Sequence, residues 1–233
     1  MEQIVVITGA ADGLGKAFAT RFAEEGYQVV AADINDEAGE SLVTALSAHS
    51  GKVVYRHCDV TQKDQVQALV SGAIDQFGTV HVLINNAVPP SALAPLEEKS
   101  DEAFQRQLDG GFFAARWAMN AAFDSMKAAG FGRIINLCSL NGVNAHPQTA
   151  DYNIAKEALR CLTRSAAREW APHGIRSTRF VLALSPQPFW PCRSLLRKWP
   201  RALTSKFPWA IWVILTKTSL VSHCSSPVRM LVI

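Results

Sequence analysis

Residues 3–15 constrain this chain most. Residues 3–8 (QIVVIT) are an apolar, β-branched run that breaks at Gly9-Ala10-Ala11-Asp12-Gly13-Leu14-Gly15. A helical pattern follows, with Leu14, Phe18 and Phe22 at i, i+4 and i+8, and stops at Gly26. A run apolar at consecutive positions predicts a strand buried on both faces, and such strands belong to parallel sheets. Glycine serves the turn where the backbone bends tightly or approaches a phosphate, and the helix behind it offers free N–H groups to an anion. The Gly9, Gly13, Gly15 spacing is not G-x-G-x-x-G, so the turn alone does not name a ligand.

The same alternation continues. Strands are predicted over 27–32, 52–57, 80–85 and 132–138, with a sixth after Gly174; helices are predicted over about 35–49, 61–77, 100–129 and 150–171. Strands separated by helices of this length make βαβ units. Right-handed crossovers then predict a Rossmann-like, doubly wound parallel sheet with helices on both faces. Asp33, ending the second strand, is placed to accept from ribose hydroxyls and to repel a 2′-phosphate, which favours NAD over NADP. No Lys or Arg precedes Gly15 in the turn, and position 12 is a second acid, Asp12. Capping the next helix is the other use for Asp33, one that Asn35 serves equally well.

Composition divides the chain. Residues 1–174 carry 14 Lys+Arg and all 20 Asp+Glu, a net charge of −6. Residues 175–233 carry nine basic residues, no acid and no glycine, with six of the eleven Pro and four of the six Trp. Surface helices and tight turns rarely do without both acids and glycine. The break predicts a catalytic domain over 1–176 and an atypical basic tail over 177–233, with a reading-frame shift near 177 as its origin. A tail that touches a membrane surface or nucleic acid is the competing explanation, disfavoured because its basic residues keep no amphipathic period. Five cysteines without a CxxC pair fit a reducing compartment. Met1-Glu2 runs directly into an apolar strand, without a signal peptide, and the expectation is a cytoplasmic protein with no nucleic-acid or membrane partner. No His/Cys/Asp grouping has metal-ligand spacing.

Residues 139–156 (SLNGVNAHPQTADYNIAK) hold the candidate chemistry. Tyr152 and Lys156 are i and i+4 and share one helix face. Free Tyr has a pKa of about 10, and bringing it to about 7 takes roughly 4 kcal/mol; a nearby ammonium, helped by a cationic cofactor ring, favours the phenolate. With Ser139 to hold a substrate oxygen, this is an acid/base site for an alcohol or a carbonyl. Ser139 lacks the G-x-S-x-G of a hydrolase nucleophile. Asn144 and His146, between Ser139 and Tyr152, are expected to be exposed loop residues, with contact to a substrate as the other reading; Phe113 and Trp117, four apart on the long helix, are expected to be core or subunit-interface residues rather than cofactor contacts.

Taken together, these residues resemble the short-chain dehydrogenase/reductase family over 1 to about 176. Thr8-Gly9-Ala10-Ala11-Asp12-Gly13-Leu14-Gly15 resembles its TGxxxGxG turn. Asp59-Val60 resembles the pair beside the adenine ring, and Asn85-Asn86-Ala87 resembles its NNAG, with Val88 in place of the last glycine. Ser139, Tyr152 and Lys156 match the catalytic Ser and YxxxK. The resemblance implies an NAD-dependent oxidoreductase acting on a small secondary alcohol or ketone. Ser139 would bind the substrate oxygen and Tyr152 would exchange its proton; Lys156 would lower the Tyr152 pKa and hold the nicotinamide ribose. Gly9, Gly13, Leu14, Gly15, Asp33, Asp59, Val60, Asn85 and Ala87 would line the cofactor cleft. A homodimer or homotetramer is implied as well. Two departures stand out. Gly111, after Gly110, occupies the place of an asparagine that kinks the long helix and seats a relay water, and the tail lacks the family's substrate loop and last strand. They leave a non-catalytic or impaired NAD-binding protein as the alternative.

Overall fold

Five consecutive buried residues, Ile4–Thr8, form the first strand, β1. The computed structural model describes residues 3–48, 52–184 and 228–232. Met1–Leu182 with Met230–Ile233 form one unit and Ala183–Arg229 a second; the helices below all belong to the first. After β1 come α1 (Gly13–Glu24), β2 (Gln28–Asp33), α2 (Asp36–Leu46), β3 (Val53–His57), α3 (Lys63–Phe77) and β4 (Val82–Asn85). Then follow α4 (Asp101–Leu108), α5 (Ala114–Ala128), β5 (Gly132–Ser139), α6 (Leu140–Asn144), α7 (Ala150–Glu169), β6 (Ile175–Leu184) and β7 (Val228–Val232).

The strand order is β3-β2-β1-β4-β5-β6-β7, and every pairing from β3 to β6 is parallel. This is the Rossmann-like, doubly wound sheet that the strand–helix alternation predicts. Its order reverses between β1 and β4, and in such sheets ligands bind in the crevice beyond the carboxyl ends of those two strands. Thr8 and Asn85 are those ends.

Strand side chains alternate between faces. Ile4, Val6, Val30, Ala32, Leu83 and Ile134 share one core with Val66, Leu69 and Val70 of α3, with Ala118, Met119 and Met126 of α5, and with Ala166 of α7. On the other face, α1 and α2 contact β1, β2 and β3. Caps fix the helix starts: Asp12 accepts from Gly13 N ahead of α1, Asn35 from Ala38 N ahead of α2, and Ser100 from Ala103 N ahead of α4. The α2 cap thus falls to Asn35, leaving the Asp33 carboxylate to other partners.

Three features depart from the sequence reading or refine it. The helix expected over 100–129 is broken into α4 and α5 by a π turn at Asp109–Phe113, where wider i→i+5 bonding replaces the α pattern. A short helix, α6, forms where only a loop was expected, because Ser139 caps it by accepting from Asn141 N. And β6 pairs with β5 as far as Ser139↔Leu182, so strand structure runs through position 177. The tail beyond Leu184, up to β7, lies outside the described residues. Among the described residues no helix is long and apolar enough to cross a membrane.

Candidate active site

The glycine turn is closed by backbone meeting backbone. Gly9 and Gly13 have φ of 65° and 52°, left-handed values that cost a side-chain-bearing residue roughly 1–2 kcal/mol. A Cβ at Gly15 would stand 1.8 Å from Gly9 O. Only glycine permits that approach, which leaves the start of α1 open toward the crevice. The β4 loop pins the turn. Thr8 Oγ1 accepts from the backbone N–H groups of Asn86 and Ala87, each at 3.1 Å. Asn86 Nδ2 donates to the carbonyls of Thr8 and Gly9, each at 3.0 Å.

Asp33 closes the turn from the β2 side. Its Oδ2 accepts from Ala11 N at 2.9 Å and its Oδ1 from Asn35 N at 3.1 Å. A carboxylate has about four acceptor positions, so two remain for further donors. Asp59 accepts from the N–H and the hydroxyl of Thr61, while Val60 packs against the core. Asn85 is buried; its Nδ2 donates to Asn136 Oδ1 at 2.8 Å, and Asn136 Nδ2 donates to Thr163 Oγ1 at 2.9 Å. This polar chain ties β4 through β5 to α7. Thr8, Val60, Asn85, Ala87, Gly110 and Gly111 border a cavity of about 10 Å³, about the space one water needs.

The second wall is built from polar side chains. Ser139 ends β5, is 6% exposed, and accepts from Asn141 N at 3.1 Å. Lys156 is 3% exposed, and its Nζ donates to Leu137 O at 2.7 Å. That ammonium lies 5.6 Å from the centre of the Tyr152 ring. The structure therefore brings Ser139, Tyr152 and Lys156 together at the end of β5. Burial pushes the Lys156 pKa down to about 8. Burial also pushes the Tyr152 phenol above its ordinary value, opposed by hydrogen bonding with Ser139. The sequence reading has Lys156 lowering the Tyr152 pKa. In the structure the phenol's own burial is the larger cause and outweighs the hydrogen bond with Ser139. Asn144 and His146 are exposed, as expected. Phe113 stacks on Trp117 at 5.8 Å, and Trp117 packs on the core.

The sequence reading singles out neither the Asn86 side chain nor Lys99 and Asp151, which form a buried ion pair directly before Tyr152. The repeated Asn at 85–86 is a signal for the first. Lys99 sits in the charged run EEKSDE, which reads as solvated surface. Among the described residues, no group of three or more His, Cys, Asp or Glu could hold a metal ion.

Residues 3–184 match the family described as short chain dehydrogenase. The 2,5-dichloro-2,5-cyclohexadiene-1,4-diol dehydrogenase of Sphingobium indicum is 36% identical over 181 residues, which cover 76% of this chain and 70% of that protein. Among solved structures, NAD+-bound xylitol dehydrogenase superposes with a TM-score of 0.75 at 31% identity, covering 79% of this chain and 72% of that one. A metagenomic short-chain oxidoreductase in complex with NADP gives a TM-score of 0.73 at 29% identity, covering 76% and 80%.

Proposed function

The chain belongs to the short-chain dehydrogenase family, and on that premise we propose that it is an NAD-dependent oxidoreductase interconverting a small secondary alcohol and a ketone, with Tyr152 as the acid/base. The observation that carries the proposal is the buried Lys156 ammonium 5.6 Å from the Tyr152 ring, beside Ser139 at the end of β5. A bound nicotinamide cofactor supplies the hydride or accepts it. The chain's own residues do the rest. Ser139 offers its O–H to the substrate oxygen, and Tyr152 holds the proton that this oxygen gains or loses. Raised above its ordinary value, Tyr152 keeps its proton at neutral pH, the state that carbonyl reduction requires. Oxidation requires positive charge beside the phenol, and Lys156 is the side chain placed to provide it.

A glycine turn at the start of a helix suits a pyrophosphate. A Cβ at Gly9 or Gly15 would collide with the Asn86 amide, and at Gly15 also with the Gly9 carbonyl, so this turn needs glycine at both positions; Asp33 keeps acceptor capacity beside it. Asp33 also supports NAD over NADP, since its carboxylate would repel a 2′-phosphate. Of two similar solved structures, one binds NAD+ and the other NADP, so the preference rests on Asp33. Relative to wild type, Asp33→Asn is expected to move the ratio of NADP to NAD affinity at least tenfold toward NADP, measured by titration calorimetry. An unchanged ratio removes Asp33 as the selector. We further propose that the active form is a homodimer or homotetramer, which sedimentation velocity tests.

The test of the activity is NADH absorbance with a panel of cyclic and open-chain secondary alcohols, alongside Tyr152→Phe. Turnover that falls at least a hundredfold in Tyr152→Phe, with NAD binding kept, supports the proposal. The alternative, a non-catalytic or impaired NAD-binding protein, draws on Gly111, which has no side-chain amide to offer. NAD binding with no turnover in the wild type would establish it.

A further inference from the structure

The Lys99–Asp151 pair has N···O at 2.8 Å, with side chains only 3% and 2% exposed. An ammonium has three N–H donors. Lys99 directs them at Asp151 Oδ1, at Ser91 Oγ at 3.2 Å, and at the carbonyl of Ala92. The Ser91 hydroxyl lies 3.0 and 2.9 Å from the two carboxylate oxygens of Asp151. That carboxylate belongs to the residue immediately before Tyr152. A buried ion pair rarely adds net stability over apolar side chains of equal volume; its best-attested use is to select one arrangement among several.

What this cluster arranges follows from where its members come from. Ser91, Ala92 and Lys99 lie on the segment that leaves β4 through Asn85 and Ala87. Asp151 is on the first turn of α7, directly before Tyr152. One cluster therefore fixes the segment on the cofactor side of the crevice against the turn that carries Tyr152. Other bonds hold the segment for this purpose. Gln107 Nε2 donates to the carbonyls of Pro89 and Pro90, and Ala94 N donates to Gln148 O at 3.2 Å.

Resting on the oxidoreductase reading above, we propose that Lys99, Asp151 and Ser91 form a latch that positions Tyr152 for proton transfer. Lys99 and Asp151 are positioning residues: they act through Tyr152. Ser91, Lys99 and Asp151 also border a recess of about 320 Å³, which leaves room for an arginine at position 99.

The experiment compares wild type, Lys99→Met, Lys99→Arg and Ser91→Ala. It measures kcat and KM on the alcohol panel, the Kd for NAD, and the Tyr152 titration. The titration is the 295 nm absorbance change of each protein minus that of the same protein carrying Tyr152→Phe. Lys99→Met is expected to lower kcat at least tenfold, with KM and the NAD Kd within threefold. Its Tyr152 midpoint is expected to fall toward the ordinary tyrosine value, because a released turn admits water to a phenol that burial holds high. Lys99→Arg should recover at least half of the lost kcat on a logarithmic scale, and Ser91→Ala should move kcat and midpoint the same way by a smaller factor. A wild-type kcat and midpoint in Lys99→Met overturn the latch and leave the enzymatic reading standing. Should Lys99→Met fail to fold, the same two values in Ser91→Ala decide. If the wild type binds NAD but turns over nothing, the enzymatic reading fails, and the titration still decides the latch.

Discussion

Along the Gly9–Gly15 turn the chain is held by backbone packed on backbone, whereas along Ser139–Lys156 it is held by polar and charged side chains buried away from water. In the turn, Gly15 lies where any Cβ would overlap the Gly9 carbonyl, and Asn86 bonds two main-chain oxygens. Across the crevice, Lys156 and Asp151 are all but fully buried, and each depends on specific oxygen or nitrogen partners. The first wall is fixed chiefly by shape, with the Asp33 carboxylate bonded to Ala11 N and Asn35 N at its edge. The second is fixed by electrostatics, and its position and proton affinities move together. A dinucleotide of constant charge needs the first kind of wall; a proton-transfer step needs the second.

The sharpest way to break this contrast is Gly15→Ala. The new methyl would meet Gly9 O at 1.8 Å and Gly9 C at 2.6 Å, and no rotamer relieves a clash with main chain. The turn must open, at a cost of about 3 kcal/mol and with NAD affinity at least a hundredfold weaker, as urea melts and calorimetry would record. Gly13→Ala is the matched control. Nothing lies within 4 Å of its Cβ, so it carries only the left-handed φ penalty of roughly 1–2 kcal/mol. Equal losses from the two substitutions would mean that close approach is not what shapes this wall.

On the other wall the test is pH. Lys156 is pushed from 10.5 down to about 8 by burial. Its folded-state pKa lies below its unfolded one, so between pH 8 and 10.5 the unfolded chain binds a proton that the folded chain does not. Stability contributed by this residue therefore rises with pH across that window. The difference in unfolding free energy between wild type and Lys156→Met should grow in favour of wild type by about 3 kcal/mol from pH 7.5 to 10.5, at about 1.4 kcal/mol per unit. A difference independent of pH would place Lys156 in water instead.

The shape-built wall was the more legible in sequence, because its determinants are local. A β-branched run, glycines at 9, 13 and 15, and an acid ending the next strand all lie within one βαβ unit. Tyr152 and Lys156 were legible for the same reason, as an i, i+4 pair on one helix. What escaped was set by distant contacts. Lys99 reads as surface because its partner, Asp151, is distant in sequence, on α7. The π turn escaped as well: Gly110-Gly111 announces a weak point in a helix, but not which register the helix adopts there. What demands glycine at 110 is equally distant: the Pro89 ring would stand 2.4 Å from a Cβ there. The α6 helix needed the cap from Ser139, a residue the sequence reading had reserved for substrate.

The smallest expected effect lies where the two walls meet, at Gly111. A Cβ there would be 3.1 Å from Ala155 Cβ and 3.5 Å from Val88 Cγ2, tight but against side chains only. Replacing a helical glycine by alanine gains roughly 0.5–1 kcal/mol, and the crowding offsets much of it. Gly111→Ala should thus leave stability within about 1 kcal/mol of wild type, while Gly110→Ala, facing the rigid Pro89 ring, should lose about 1–3 kcal/mol. Gly111→Asn extends the test to turnover. Its amide must compete for the cavity of about 10 Å³ bordered by Asn85 and Gly110, which has room for one water and not for a side chain besides. If the proton path already runs on backbone groups and a water at the π turn, the substitution leaves kcat unchanged or lowers it. A rise of more than tenfold would mean that the wild-type path is broken at this glycine, and that the electrostatic wall lacks a member the shape-built wall has no means to replace.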